Sequence, residues 1–366
     1  MNESVLSRRS QWAEAVTLYV LCGLGALVIS GLLVTVVGAS WSDVWNALVD
    51  GSVRKPGRWG GTIGVATPLA LVALGTMVSN RAGLVNIGQE GQLLIGAAFA
   101  AYAGANMVGP GPVALLVVLT SGALGGALWA GIAGGLRYWR KVPEVLSTLL
   151  LVSLAANVVG YGLKNSWLLL ERGAGLGNRN SVSEQLAPDT RIPHWSLWGN
   201  DFAMSAVAVV LLIFLVSWML NHTLWGYRLS VVGQNQRVAR RFGIGETAEG
   251  MKSMFISGGM SGLAGGVMLA SGDFANYRLV AGFSVSIGWV GLLVALVAGQ
   301  RALAIIPVAF VFASLRTGSG FLASTGIERR VTDVVQGLIV LALLIPPAIM
   351  FIRQRRRALS ASRSRV

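Results

Sequence analysis

GLVNIGQEGQLLIG, residues 83–96, places one carboxylate, Glu90, and three amides, Asn86, Gln89 and Gln92, between long apolar runs. A fourth amide, Asn80, lies just upstream. The question is why so hydrophobic a chain keeps a polar knot at this point. A carboxylate deep in a bilayer costs about 2.5–3.5 kcal/mol on insertion scales. Glu90 must therefore face a cavity, a partner or the bilayer edge.

The rest of the chain makes the bilayer the right reference. Its 366 residues are 54% hydrophobic and 12% charged, and 48 are Gly. A soluble domain carries about a quarter charged residues, and Gly is more frequent in membrane helices than in soluble ones. Charge-free stretches at 15–38, 62–80, 91–109, 112–136, 145–163, 202–221, 253–272, 279–300, 302–315 and 334–352 give ten expected spans. The second holds Pro68, which should bend or break it. The third begins earlier than its charge-free part, so that Glu90 and its amides fall in its first turns. The expected fold is all-α and polytopic, a single transmembrane domain over 1–366.

The net charge of +14 suggests nucleic acid only until its placement is considered. With the N-terminal segment 1–14 in the cytoplasm and the spans alternating, 18 of the 29 Lys and Arg fall inside, six of them in the tail 353–366. The positive-inside rule accounts for that bias, both termini come out cytoplasmic, and no nucleic-acid partner is expected. The first run is too long for a secretory signal, which makes it an uncleaved span. One cysteine, Cys22, and two distant histidines, His194 and His222, make no metal site.

Chemistry-bearing motifs are absent from this sequence: it contains no GxxxxGK[ST], HExxH or GxSxG. GGMSGLAGG at 258–266 lies inside a hydrophobic span and reads as small-residue helix packing. Asn157 and Gln336 read as mid-span amides that bridge helices, and Asp273, Glu328 and Asp333 as span-end groups, solvated or paired with neighbours such as Arg278 or Arg329. An outer loop, 164–201, carries Trp167, Trp195 and Trp198. An inner loop, 222–252, is basic and Gly-punctuated, with a short helix expected over 234–242. VNIGQEGQLL at 85–94 matches VSIGWVGLLV at 285–294, an offset of 200. The copies fit an inverted repeat of halves 62–163 and 253–352, an arrangement common in transporters. Two readings of the knot stay open. Asn86, Gln89, Glu90 and Gln92 form a polar passage or the hinge that gates it, or they mark the cytoplasmic entrance of a helix, where Glu90 complements the dipole of the first turn.

GLVNIGQEGQLLIGA, GQNQRVARRFGI with GMKSMFISGGMSGLAGG after it, and APDTRIP in the outer loop together resemble the permease subunits of bacterial ABC importers in the branched-chain amino-acid, ribose and nucleoside group. The resemblance runs from about Gly60 to Ile345, and its NIGQEGQ form is most similar to nucleoside permeases, next to simple-sugar ones. It implies a type II-like importer fold with about ten helices and a location in the bacterial cytoplasmic membrane, in contact with lipid. Implied partners are a second homologous permease or a second copy, a cytoplasmic ATPase that uses ATP, and an extracytoplasmic substrate-binding protein. No cofactor would be bound by this chain, and it would not itself be an enzyme. Docking of the ATPase would fall on Gly233, Asn235, Arg237, Arg240, Arg241 and Gly243, although the EAAxxxG docking motif of other importers is absent. The arginines serve equally as cytoplasmic anchors. The cargo would be a nucleoside, or a simple sugar carried by the same machinery; a stand-alone secondary transporter has no row of buried carboxylates to support it.

Overall fold

The computed structural model describes residues 40–324 apart from 108, 172–180, 285 and 300, together with scattered residues of the two ends. The helices are α1 (Val20–Leu32), then α2 (Trp41–Val49), α3 (Arg58–Arg81), α4 (Gln89–Asn106), α5 (Gly111–Arg140), α6 (Glu144–Gly162), α7 (Ser205–His222), α8 (Leu224–Gln234), α9 (Gln236–Arg241), α10 (Glu246–Ser271), α11 (Ile287–Ala298) and α12 (Ile305–Ser324). Six helices among the described residues are long and apolar enough to cross a membrane: α3, α5, α6, α7, α10 and the stretch Ala302–Phe321. The chain is a multi-pass membrane protein. The expected spans 62–80, 91–109, 112–136, 145–163, 202–221, 253–272 and 302–315 fall on α3 to α7, α10 and α12. The expected span 15–38 holds α1, and 334–352 lies largely outside the described residues.

Three expectations change. Pro68 sits inside α3 and the helix runs on past it; membrane helices tolerate Pro because neighbouring groups satisfy the freed carbonyl. The run 279–300 is helical only from Ile287, because Gly282 and Ser286 both take positive φ, at 74° and 65°. A charge-free stretch alone does not distinguish helix from apolar turn. The outer loop also departs from an all-helical plan, since β1 (His194–Leu197) and β2 (Asn200–Ala203) form an antiparallel hairpin. Its tip, Trp198-Gly199, has φ of 50° and 72°, the geometry of a type I′ turn.

The chain forms two compact units, Trp59–Ala313 and the two flanking segments 1–58 and 314–366. In the flanking unit α2 packs on the end of α12: Gly318 lies against Leu48, and Gly51 against Phe321. Lys55 and Arg58 stand over the Phe321 ring at 4.7 and 4.9 Å.

In the larger unit α4, α5 and α10 pack closely on one another. Small residues permit that approach. Gly96, Gly122 and Gly126 each face the Gly258–Gly262 stretch of α10, and a Cβ at any of them would press on backbone there. The GGMSGLAGG segment is thus a packing surface, as small-residue stripes in membrane helices are. Burial follows the same division. In α3 and α10, 78% and 72% of the apolar window is buried, against 28% in α6 and in α7. The polar and glycine-rich helices are central, and the uniformly apolar ones turn their sides outward.

Candidate functional site

The polar knot closes on itself at the start of α4. Asn86 and Gln92 exchange a reciprocal amide pair: Asn86 Nδ2 donates to Gln92 Oε1 at 2.9 Å, and Gln92 Nε2 donates to Asn86 Oδ1 at 3.0 Å. Asn86 Oδ1 also accepts from the Gly88 N–H at 3.0 Å. That bond satisfies a backbone donor at the helix start, where no intrahelical partner exists. Asn86 Nδ2 and Gln89 Nε2 both donate to Ser257 Oγ on α10, each at 3.0 Å. Gln89 Nε2 donates also to Thr76 Oγ1 on α3 at 3.0 Å, and Gln89 Oε1 accepts from Ser261 of α10. Asn86, Gln89 and Gln92 are each 1% exposed. Three helices are therefore joined by direct bonds between amides and hydroxyls.

Glu90 turns the other way, toward α11. Its Oε2 accepts from the Gly288 N–H at 2.7 Å, and its Oε1 accepts from the Ser286 N–H at 3.2 Å and from the Ser284 hydroxyl. Ser286 is the N-cap of α11, and its own side chain makes no cap bond. Glu90 thus does for α11 what a capping side chain does locally, with its carboxyl group at the positive end of that helix. Gly288 packs on the Glu90 backbone so closely that a Cβ there would strike its N and Cα atoms. Sequence reasoning placed Glu90 in the first turn of α4, which holds; what neither of its two readings contained is that the carboxylate also caps the neighbouring helix.

The connection from α3 to α4, residues 82–88, carries the knot and is strapped on both sides. It leaves α3 through a glycine end-cap: Gly83 has φ of 73°, with Gly83 N donating to Asn80 O and Leu84 N to Ser79 O, the Schellman pattern. On one side α6 accepts its backbone donors, Val85 N to Glu144 Oε1 at 3.4 Å and Ile87 N to Thr148 Oγ1 at 3.3 Å. Glu144 is itself paired with Arg137 of α5. On the other side sits Gly233, where a Cβ would strike Arg81 O and the Gly83 amide.

Gly233 begins the second candidate region. The expected helix 234–242 is resolved into α8 and α9, broken at Asn235. Asn235 Oδ1 caps α9 by accepting from Arg237 N and Val238 N at 3.0 and 3.2 Å. Arg240 reaches Glu246 at the start of α10 through two bonds, at 2.7 and 3.1 Å. Arg237 and Arg241 are exposed, as are Leu224, Tyr227, Val238 and Phe242. Gly243 turns the chain out of α9 with φ of 72°.

Other expectations resolve differently. Among the described residues Asn157 does not bridge helices; its Nδ2 donates to Ser153 O within α6. Arg278 pairs with Glu171 at 2.8 Å and not with Asp273. Asp273, just beyond the end of α10, stands 3.9 Å from His194 Nε2. Burial pushes the Asp273 carboxyl above the usual aspartate range, with His194 and Ser271 opposing. Gln336, Glu328 and Asp333 lie outside the described residues. Thr76, Ser257, Ser261 and Ser284 were missed as members of the knot. The four-residue spacing of Ser253, Ser257 and Ser261 was the available signal, since it puts all three on one face of α10.

A protein-family model described as branched-chain amino acid transport system, permease component, matches residues 60–344. The chain is 30% identical to a guanosine ABC transporter permease of Bacillus subtilis (strain 168), covering 91% of this chain and 93% of that one. It is 27% identical to a glucose ABC transporter permease of Haloferax volcanii, over 89% of this chain and 86% of that one. It is 25% identical to a nucleoside ABC transporter permease of Lactococcus lactis subsp. cremoris, over 85% of each chain.

Proposed function

The chain belongs to the permease-component family of branched-chain amino acid transport systems, and we propose that it forms the passage of an ATP-driven importer whose cargo is a nucleoside. It is a transport subunit of an ABC transporter. The observation that carries the cargo is its likeness, over nearly full length, to guanosine and nucleoside permeases. A simple sugar is the second reading, favoured by the glucose permease relative.

On this reading the protein sits in the bacterial cytoplasmic membrane with both termini inside. A separate ATPase supplies the energy, a second permease or a second copy completes the passage, and an extracytoplasmic binding protein delivers cargo. The ATPase docks on α8 and α9, where Arg237, Arg241, Val238 and Phe242 present both charge and apolar surface. Arg240 holds that surface to α10 through Glu246. Motion of α8 bears on Gly83 through Gly233, and so on the connection that holds the knot. The knot is the hinge: α4 and α11 both begin there, joined by Glu90.

Depth supports the hinge reading over the entrance reading. α11 has 12 residues, hence a length of about 18 Å, short of the roughly 30 Å of hydrocarbon. With Arg301 at the cytoplasmic face, the start of α11, and Glu90 with it, lies near mid-depth. Transporters place their sites where interrupted helices begin near the midplane. The matched stretches 85–94 and 285–294 supply the two interrupted helices, as the repeat halves 62–163 and 253–352 would.

The test is uptake into proteoliposomes that hold the chain, its co-purifying partners and the binding protein. Uptake of radiolabelled guanosine and uridine should require ATP and be suppressed by excess unlabelled nucleoside but not by ribose or glucose. Suppression by a sugar would move the cargo to the second reading, and uptake by the chain alone without ATP would remove the importer assignment.

A further inference from the structure

A cavity of about 330 Å3 opens where three chain ends meet away from the knot: the end of α3, the end of α7 and the segment before α12. Its polar lining is Arg81, Arg301, Ser217 and Asn221, and Met77 and Leu303 belong to its apolar wall. No carboxylate is among the described residues that line it. Arg81 lines the cavity, but its Nε is shut off from solvent, so an occupant would meet the terminal nitrogens of that guanidinium. Two guanidinium groups with hydroxyl and amide donors beside them form the donor set that oxyanions take, since Arg matches phosphate geometry in a fork. The apolar flank adds a second property. Leu303 is 48% exposed, so the cavity has a greasy lip beside a cationic floor.

We propose that this cavity binds a phosphate-bearing anion, the chemistry shared by an acidic phospholipid headgroup and free phosphate, with Arg81 and Arg301 as its anchors. The apolar lip suits a headgroup whose acyl chains run out along Leu303 into the bilayer. Basic pockets between membrane helices on the cytoplasmic side are the usual seat of acidic headgroups, and the positive-inside count puts Arg81 and Arg301 on that side. Occupancy would pin the end of α3, next to the Gly83 turn, to the end of α7. The site does not depend on the identity of the cargo.

The probes are dioctanoyl-phosphatidylglycerol, dioctanoyl-phosphatidylcholine and inorganic phosphate, each titrated into the full-length permease purified with its partner chains. Bound molecules are counted by native mass spectrometry and checked by thermal shift. Phosphatidylglycerol should bind saturably and raise the melting temperature, and phosphatidylcholine should not. The double variant Arg81→Gln, Arg301→Gln should bind it at least about tenfold more weakly, as expected for lost charge-assisted bonds. Leu303→Glu, which keeps both arginines but adds a carboxylate at the lip, should weaken it similarly and decides the matter if the double variant does not fold. Phosphate that displaces the lipid marks free phosphate as an occupant; phosphate that does not marks the lipid. Equal phosphatidylglycerol binding by wild type and both variants would overturn the proposal, because the basic tail would then explain it. So would failure of the wild type to bind either anion.

Discussion

α4 and α11 begin from matched stretches, yet they are started in different ways. The start of α4 is capped by its own segment: Asn86 accepts from Gly88 N and is held by Gln92. The start of α11 is capped from outside, by Glu90 of α4. Two hundred residues along from Glu90 the repeat carries Val290, so the favour is not returned. The dependence therefore runs one way. Disturbing α4 must disturb α11, whereas α4 keeps its own cap when α11 moves. If the knot is the hinge, displacement would pass from the side of the proposed docking loop toward α11.

Substitutions at matched positions should break this asymmetry in order of size. Gly288→Ala drives a methyl into the Glu90 backbone and should cost about 3 kcal/mol, the upper range for overpacking, read as a fall in unfolding free energy in detergent. Gly88→Ala meets the tip of Gln92 and Thr148 at 3.0–3.2 Å, contacts that yield in part, and should cost about half as much on the same scale. Equal costs at the two positions would remove the asymmetry. Glu90→Ala strands two backbone N–H groups and the Ser284 hydroxyl, for a loss of about 3 kcal/mol; Glu90→Gln keeps the shape and should recover about half of it. Asn86→Ala removes the local cap of α4 and should cost about 1–2 kcal/mol, with hydrogen exchange rising at Gly88 and, through Glu90, at Gly288. Protection kept at Gly288 while it is lost at Gly88 would contradict the one-way dependence.

The smallest effect is expected outside the membrane. Asp273 carries a raised pKa from burial, so the fold favours its protonated form. Its contribution is complete at pH below the ordinary aspartate value and is lost as pH rises through the raised one. Asp273→Asn should therefore raise the melting temperature slightly at pH 7 and leave it unchanged near pH 3. A melting temperature lower than wild type at pH 7 would show that the contact with His194 outweighs burial.

Much of this was readable from residues, because bilayer spans depend on composition over long windows. The runs on α3 to α7, α10 and α12 needed only absence of charge, and GGMSGLAGG needed only small side chains. The knot was recognisable as a site because amides and a carboxylate are conspicuous among apolar residues. Its wiring was not. Glu90 and Gly288 lie 198 residues apart, and no periodicity reports such a contact. The break before Ile287 was hidden because a turn rich in apolar residues has the same composition as a span. The hairpin 194–203 was hidden because its turn is Trp-Gly, not the Asn-Gly or Asp-Gly that announces a type I′ turn. Arg240 looked available for a partner because its bond to Glu246 depends on the bend at Gly243.

The most direct test of the hinge measures nucleoside uptake and ATP hydrolysis in the same proteoliposomes with Glu90→Gln in this chain. The account predicts that hydrolysis by the assembled complex continues while uptake falls at least about tenfold, because the docking loop still engages and α11 no longer follows α4. Uptake at the wild-type rate in an assembled complex would contradict it.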